Sequence, residues 1–234
     1  MHKSYQIFKR EVKAYFVSPI AYIVISIFLL VTGWFFFSSF FLYNQANLRG
    51  FFSLLPFTFA FVIPAVTMRL IAEELNVGSY ETLLTLPVST VDVVLGKFFA
   101  SLAFTAVMLA PTFFYPFTIS FIGDLDWGPV VGGYAGALFL GAVFSAIGLL
   151  ASSVTRNQIV AYIVGLAICF TLILIDKMVF FLPVQALAFF EYMSADAHFQ
   201  NIAKGIVDSR DIVYFISVCF ICLYGTSLVL TEKA

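Results

Sequence analysis

Six apolar runs without a single charged residue dominate this chain. They occupy residues 19–42, 50–68, 98–123, 127–155, 157–175 and 212–231. The shortest run has 19 residues, and a helix needs about 20 apolar residues to cross the hydrocarbon core of a bilayer. The runs lack the regular alternation of apolar and polar residues that is typical of transmembrane β-strands. The sequence therefore predicts an all-α integral membrane protein with six transmembrane helices.

The composition excludes several classes of function. Hydrophobic residues make up 62% of the 234 residues and charged residues only 11%, whereas a soluble domain has about 25% charged residues. Twelve basic and thirteen acidic residues leave a net charge of −1, so the chain lacks the basic surface that nucleic-acid binding requires. It also lacks a continuous basic block of the kind that binds anionic lipid by charge alone. Six spans leave no room for a soluble catalytic domain.

The residues before the first run predict an amphipathic helix on the membrane surface. Tyr5, Phe8, Val12 and Tyr15 recur at three- and four-residue spacing, which places them close together on a helix. Basic residues occupy the other faces: Lys9, Arg10 and Lys13. The alternative is a helical extension of the first span, but Pro19 favours a bend because proline disfavours helix at the preceding residue.

We predict one transmembrane domain over residues 1–234, beginning with an interfacial helix at 1–18. The predicted transmembrane helices are 19–42, 50–71, 90–122, 129–154, 158–180 and 212–231, with a cytoplasmic coupling loop at 72–89 and an outer loop at 183–211. The short apolar run 178–190 contains Pro183 and is interpreted as an interfacial or re-entrant element.

The distribution of basic residues predicts the orientation of the six spans. With the N-terminus in the cytoplasm, eight basic residues lie on the inner side and four on the outer side, in agreement with the positive-inside rule. The inner residues are Lys3, Lys9, Arg10, Lys13, Arg69, Lys97, Arg156 and Lys233, and the outer ones are Arg49, Lys177, Lys204 and Arg210. Both termini are therefore predicted to be cytoplasmic.

The inner segment 69–97 predicts a short helix between two spans. Ser79 is a candidate N-cap, Glu81 lies in the first turn, and Pro87 ends the helix. Ser89 and Asp92 have the spacing of a second cap, which opens the third span. Gly78 and Pro87 bracket this helix, whose residues include Ser79, Tyr80, Glu81, Leu83, Leu84 and Leu86. The three leucines form an apolar face that needs a partner.

Two interpretations remain open for Glu73 and Glu74. One is a surface ion pair with Arg69, four residues before Glu73, which contributes a few tenths of a kcal/mol. The other is a latch that ties this span to the N-terminal surface helix or to a partner.

The sequence lacks the motifs of the common catalytic and coupling chemistries. It contains no G-x-x-x-x-G-K-[ST] loop for nucleotide phosphates, and its two histidines, His2 and His198, do not form a zinc-protease motif. No ionisable residue lies in the middle of a span, where ion-coupled transporters usually place one. We therefore expect no catalytic residue, no metal site and no ATP binding on this chain, and an apolar or aromatic transport pathway if there is one.

Prolines and small residues mark three of the spans. Pro56 and Pro64 in the second span and Pro111 and Pro116 in the third predict helix kinks, with gating as the functional alternative to a static bundle. The fourth span carries small residues at three- and four-residue spacing, which permit close helix approach: Gly133, Ala137, Gly141, Ser145, Gly148 and Ser152. Packing within the chain is favoured over a dimer interface.

Two sequence stretches resemble the ABC-2 type membrane permeases. They are MRLIAEELNVGSYETLLTLPVSTVDVVLGKFFAS after the second span and YMSADAHFQNIAKGIVDSRDIVYF before the sixth. Both are most similar to the gliding-motility-associated permease subunit of this family. The resemblance implies an ABC-2, type V exporter-like fold in the bacterial inner membrane. It also implies that residues 79–86 are the coupling helix that docks on the ATPase, that Glu74 and Gly78 match the family's carboxylate and glycine just before it, and that residues 189–207 form an outer helical element.

The same resemblance implies how such a subunit works. It predicts a permease that is not itself an enzyme, with ATP and Mg²⁺ bound by a separate ABC ATPase subunit. The expected partners are that ATPase, a second permease chain as homodimer or heterodimer, membrane lipid and an outer-facing accessory protein. The leading hypothesis is export of a hydrophobic or amphipathic substrate. The alternatives are a non-transporting scaffold or mechanical component of an envelope machine such as gliding motility, and an intramembrane enzyme.

Overall fold

The computed structural model describes residues 2–43, 47–79, 88–178, 192–206 and 208–233. In these ranges the chain is almost entirely helical and contains no strand. Six of its helical segments are long and apolar enough to cross a membrane. The all-α architecture with six candidate spans is therefore confirmed.

The N-terminal segment and the first span are separate helices. Helix α1 covers His2–Val17 and α2 covers Pro19–Tyr43, so the chain breaks at Ser18, next to the proline that predicts a bend. Helix α1 packs along the start of the third span rather than continuing α2. Its Ile7 and Tyr15 are buried against the bundle.

The second and third spans are each divided. The second consists of α3, Arg49–Thr67, and α4, Arg69–Val77, which meet at Met68. The third consists of α5, Thr90–Leu109, a 3₁₀ turn at Ala110–Phe113, and α6, Phe114–Ser120. Helix α4 thus extends five residues beyond Ala72, where the sequence analysis begins the inner loop.

The fourth span forms the centre of the bundle. It is α7, Trp127–Val154. It packs against α3, α4 and α5 and against all three helices that follow it in the chain. The remaining helices are α8, Gln158–Met178; α9, Ala195–Ala203; and α10, Ser209–Glu232. Helix α9 lies within the segment 189–207 that is expected to contain an outer helical element. The predicted re-entrant element at 178–190 lies outside the described residues, apart from Met178 at the end of α8.

Candidate functional site

Four charged side chains from three helices meet at the end of the bundle where α1, α4 and α5 lie together. Lys97 Nζ is 2.8 Å from Glu74 Oε1 and 3.3 Å from Glu11 Oε1. Arg10 Nη2 is 2.7 Å from the same Glu11 oxygen and 3.0 Å from the same Glu74 oxygen. The two cations and two anions alternate, so each charge has two opposite neighbours. We call Arg10, Glu11, Glu74 and Lys97 the charge cluster.

Lys97 is the buried centre of this cluster. Its side chain is 1% exposed, and its ammonium also donates a hydrogen bond of 2.6 Å to the carbonyl of Leu70. A lysine ammonium has three donor hydrogens, and Glu74, Glu11 and Leu70 supply three acceptors. A buried charge is costly unless it is paired and hydrogen-bonded in this way. Lys97 thereby fixes α5 to both α1 and α4.

The electrostatic environment favours the ionised form of Glu11. Burial by itself would raise the pKa of this carboxyl, but the ammonium of Lys97 and the guanidinium of Arg10 outweigh burial and hold the pKa below its ordinary value. Glu11 is therefore ionised at neutral pH and pairs with both cations of the cluster.

Glu74 occupies the position that the latch interpretation requires. It contacts Arg10 of the N-terminal helix and Lys97 of the third span, whereas its neighbour Glu73 is exposed. Arg69 lies over the ring of Tyr15, with its guanidinium carbon 5.5 Å from the ring centroid. Sequence reasoning identified Glu74 but missed Lys97, which it counted only as an inner-loop charge.

A serine of the fourth span holds the joint between α3 and α4. Ser152 Oγ accepts hydrogen bonds from the backbone N–H groups of Ile71 and Ala72, at 3.1 and 2.8 Å, and donates one of 2.8 Å to the Met68 carbonyl. The first N–H groups of a helix have no partner within it, and Ser152 satisfies two of them in α4. One turn earlier, a Cβ added at Gly148 would collide with the Thr67 hydroxyl, so glycine lets α7 approach this joint closely.

The far end of α4 begins the predicted docking segment. Gly78 ends the helix with φ 75°, in the left-handed region that glycine adopts without strain. The Ser79 hydroxyl lies 3.5 Å from the Glu74 carbonyl. The other predicted docking residues lie outside the described residues: Tyr80, Glu81, Leu83, Leu84, Leu86 and Pro87.

The four prolines occupy two different backbone settings. Pro56 and Pro64 lie inside α3 and are buried, and the helix continues through both until the joint at Met68. Pro111 lies in the 3₁₀ turn that interrupts the third span, and Pro116 lies in α6. In the interruption, the Tyr134 hydroxyl donates to the Thr112 carbonyl at 2.7 Å, so α7 contacts this break as well.

The small residues of α7 face other helices of the same chain. A Cβ at Gly133 would collide with the Phe52 ring of α3, and one at Gly141 would lie 2.8 Å from Cγ2 of Thr105 in α5. Ala137, between these positions, and Ser145, one turn beyond Gly141, are fully buried. This geometry places the small-residue face inside one chain.

A second polar group lies at the opposite end of the bundle, where α9 meets α10. His198 Nδ1 is 2.5 Å from Asp211 Oδ1 and its Nε2 is 2.9 Å from the Tyr192 carbonyl. The imidazole ring therefore links the start of α10 to the backbone just before α9. Asp196 nearby pairs with Lys177 at 2.9 Å. These residues border a polar cavity of about 710 Å³.

Sequence reasoning did not foresee the pair of His198 and Asp211. His198 and Asp211 are 13 positions apart, and no local motif connects them. The available signal was the presence of a histidine and several acidic residues in an otherwise apolar chain, immediately before the sixth span.

Comparison with known protein families matches residues 6–204 to the family described as ABC-2 family transporter protein. The matched range contains the charge cluster, the α3–α4 joint and five of the six candidate spans. A comparison with individually curated proteins finds no significant match. The family match agrees with the six apolar helices, which mark a multi-pass membrane protein. This chain therefore belongs to the ABC-2 family of transporter proteins and is a membrane permease component.

Proposed function

We propose that this chain is the permease subunit of an ATP-driven exporter whose ATPase is a separate chain. The ATPase docks on residues 79–86, and the movement passes through α4 to the charge cluster and from there to α1 and α5. The observation that carries the proposal is the position of Glu74, which is linked to two other helices and lies five residues before the docking segment. The sequence has no phosphate-binding loop of its own, so ATP and Mg²⁺ belong to the partner.

The charge cluster suits the transmission of force. A displacement of α4 alone would separate Glu74 from Lys97 and leave an ammonium buried without its closest counter-ion, which is energetically costly. Movement of α1, α4 and α5 together preserves every pair. The three helices therefore act as one rigid group under a push at the end of α4.

A second permease chain is proposed to cover the face formed by α2, α3 and α8. Both α2 and α8 pack on α3, and their apolar stretches are only 22% buried within the chain, as is that of α10, against 72% for α7. Phe61 of α3 is half exposed between them and contacts the Phe170 ring at a centroid distance of 4.9 Å. An aromatic pathway between two such faces fits a hydrophobic or amphipathic substrate, and Pro56 and Pro64 lie in the helix that would gate it.

The proposal also covers the subgroup of the family to which the chain belongs and the membrane in which it lies. We propose that the chain lies in the bacterial inner membrane with both termini in the cytoplasm. The stretches after α3 and before α10 favour the gliding-motility-associated permeases. In that setting the polar cavity near α9 would face an outer accessory protein, which also supports the alternative of a non-transporting mechanical component.

The proposal is tested in vesicles that contain the permease with its ATPase subunit. The double variant Glu81→Ala/Leu84→Ala removes a carboxylate and an apolar side chain that the sequence predicts for docking, and should weaken ATPase binding and abolish flux. The variant Arg10→Gln removes an exposed member of the charge cluster without leaving a buried charge unpaired. It should retain the ATPase and its hydrolysis but lower the substrate flux per ATP about tenfold.

Arg156→Gln is the matched control, since Arg156 is also exposed and is predicted to lie on the same side of the membrane. It should leave binding, hydrolysis and flux unchanged. Full flux in both test variants would overturn the coupling route. ATP hydrolysis without flux of any tested lipid or amphiphile in the unmodified complex would favour the mechanical alternative.

A further inference from the structure

The joint between α3 and α4 is an interruption of hydrogen bonds rather than a change of backbone conformation. Met68 has φ −52° and ψ −35°, which are ordinary values for an α-helix. A continuous helix would bond the Ala72 N–H to the Met68 carbonyl, but among the described backbone bonds none joins these two groups. The second span therefore keeps the backbone conformation of one helix, with its ladder of hydrogen bonds opened at one place.

The hydroxyl of Ser152 occupies this opening. Its oxygen accepts from the Ala72 N–H and donates to the Met68 carbonyl, both at 2.8 Å, so two bonds through one atom replace the direct bond. It also accepts from the Ile71 N–H at 3.1 Å. A side chain that enters the ladder in this way is one of the causes of helix kinks. Ser152, Ile71 and Ala72 are fully buried, so bulk water does not compete for these bonds.

A second arrangement satisfies the same groups without the inserted hydroxyl. If the Ser152 hydroxyl withdraws, the Ala72 N–H can bond directly to the Met68 carbonyl, and the Ile71 N–H to the carbonyl four residues before it, as in any α-helix. The hydroxyl can then donate to a carbonyl of the preceding turn of α7, as the neighbouring Ser153 does at 2.8 Å. Neither arrangement leaves one of these groups unpaired, so neither carries the cost of a buried unsatisfied group.

The contacts on either side of the joint determine which helices a change in the kink would move. After the joint, Lys97 holds the Leu70 carbonyl and Glu74, which ties α4 to α5. Before the joint, Gly148 lies against Thr67, which ties α3 to α7. The nine residues of α4 span about 13 Å, so a change of about 20° in the kink moves the far end of α4 by about 5 Å.

We propose that Ser152 is a reversible conformational switch in the second span. The span alternates between a kinked state, in which the hydroxyl is inserted between Met68 and Ala72, and a straighter state, in which these two residues bond directly and the hydroxyl bonds within α7. The charge cluster carries the movement of α4 to α1 and α5, while α3 remains packed on α7. This device belongs to the fold and does not depend on whether the chain exports a substrate.

Distances between two spin labels on the full chain in vesicles test for the two states. The labels are attached to Val77→Cys at the end of α4 and to Ile159→Cys at the start of α8, both exposed positions, in a background without the three native cysteines. The distance distribution should contain two components separated by up to about 5 Å. A single component in this labelled chain, with Ser152 in place, would overturn the proposal.

A pair of neighbouring serine variants tests the role of the hydroxyl. Ser152→Ala removes the inserted hydroxyl, and Ser153→Ala is the matched control, because the Ser153 hydroxyl bonds within its own helix. The first variant should leave only one of the two distance components, whereas the control should retain both. A distribution in Ser152→Ala identical to that of the parent chain would overturn the proposal.

Hydrogen exchange distinguishes a switch from a simple helix cap. In a switch, the amides of residues 69–77 stay as protected in Ser152→Ala as in the parent chain, because direct backbone bonds replace the bonds to the hydroxyl. With a cap alone, the amides of Ile71 and Ala72 would lose their acceptor and exchange about tenfold faster. That acceleration would overturn the proposal even if the variant stayed folded.

Discussion

The charge of the cluster that is most costly to bury is the ammonium of Lys97. Its Nζ lies within hydrogen-bond distance of two carboxylates and a carbonyl in a position that water does not reach. Loss of one partner from a buried ion pair is typically destabilising by about 3–5 kcal/mol, because the remaining charge stays buried. The identity of residue 74 therefore matters far more than that of the exposed residue beside it.

The neighbours Glu74 and Glu73 provide a matched pair of variants. Glu74→Gln should lower the free energy of unfolding in detergent by about 3 kcal/mol, since Lys97 loses its closest carboxylate. Glu73→Gln changes the same chemical group at an exposed position and should shift stability by less than about 0.5 kcal/mol. Denaturant or thermal unfolding of the purified chain measures both. Equal effects of the two variants would show that Glu74 is an ordinary surface residue.

Glu11 gives the cluster a defined response to acid. The pKa of its carboxyl is lower in the folded chain than in the unfolded one, so the group stabilises the fold at any pH above its unfolded pKa of about 4.3. That stability is lost as the pH falls through the lower folded pKa.

The comparison of the wild type with Glu11→Gln measures this response. Wild type should unfold at a higher temperature at pH 7, and the difference should shrink steadily below about pH 4. A difference that stays constant down to pH 3 would contradict the role of the ionised carboxylate.

The sequence predicted a role for one residue of the cluster, Glu74, but not for Lys97. Glu74 was recognised because it lies beside the docking segment in the chain. Lys97 was missed because a lysine next to an apolar run is usually a flanking residue that extends to the membrane surface. Its burial depends on Glu11, 86 positions earlier, and no local pattern in the sequence shows that contact.

At the level of helices, the position of α4 depends on α7. Gly148 and Ser152 lie one turn apart on α7, the first against Thr67 and the second at the start of α4. Any added volume on this face pushes the joint away from the bundle. The joint is thus held by α7, whereas the charge cluster holds α4 to α1 and α5.

Gly148→Ala tests this close approach. The added methyl group meets the Thr67 side chain, and overpacking of this kind costs about 1–3 kcal/mol. Gly165→Ala is the control, because its Cβ would lie 3.4 Å from its nearest neighbour, at the edge of ordinary contact. Thermal unfolding should show a loss for the first variant only. The double variant Gly148→Ala/Thr67→Ala removes the clashing hydroxyl but keeps the Thr67 Cβ, 2.9 Å from the added methyl group, so it should recover part of the loss. No recovery at all would place the strain elsewhere.

Local patterns in the sequence predicted some helix ends and not others. Ser89 and Asp92 form the expected capping box at the start of α5, with Ser89 Oγ accepting from the Asp92 backbone at 3.2 Å, so this prediction is confirmed. The break at Met68 was not foreseen, and residues 50–71 were predicted as one helix. Ser152, which stabilises the break, is 84 positions from Met68, and only tertiary packing brings the two together.

At the level of the whole molecule, the sequence was most informative about the number of spans. Each span is recognisable because a bilayer permits only segments whose backbone groups are satisfied internally, and that constraint acts on every span independently. The arrangement of the spans around α7 was not predictable in the same way. Small residues indicate that a helix packs closely, but not against which neighbour.

The proposed orientation can be tested with single cysteines in a background that lacks Cys169, Cys219 and Cys222. A membrane-impermeant maleimide should label Asp124→Cys in intact cells, because this residue lies in the loop assigned to the outer side. Ser79→Cys should react only after the cells are opened. Labelling of Ser79→Cys from outside would reverse the topology and exclude an intracellular ATPase at the docking segment.

The link between α1 and α4 has a mechanical consequence for the surrounding bilayer. In its predicted position among the lipid headgroups, α1 cannot shift without displacing them, and the Arg10–Glu74 pair, together with Lys97 bridging Glu74 and Glu11, ties α1 to α4. Each movement of α4 in the proposed transport cycle should therefore deform the adjacent leaflet, and the stiffness of that leaflet should contribute to the load. We expect turnover to slow in membranes made rigid by saturated acyl chains, even where the ATPase itself is unaffected.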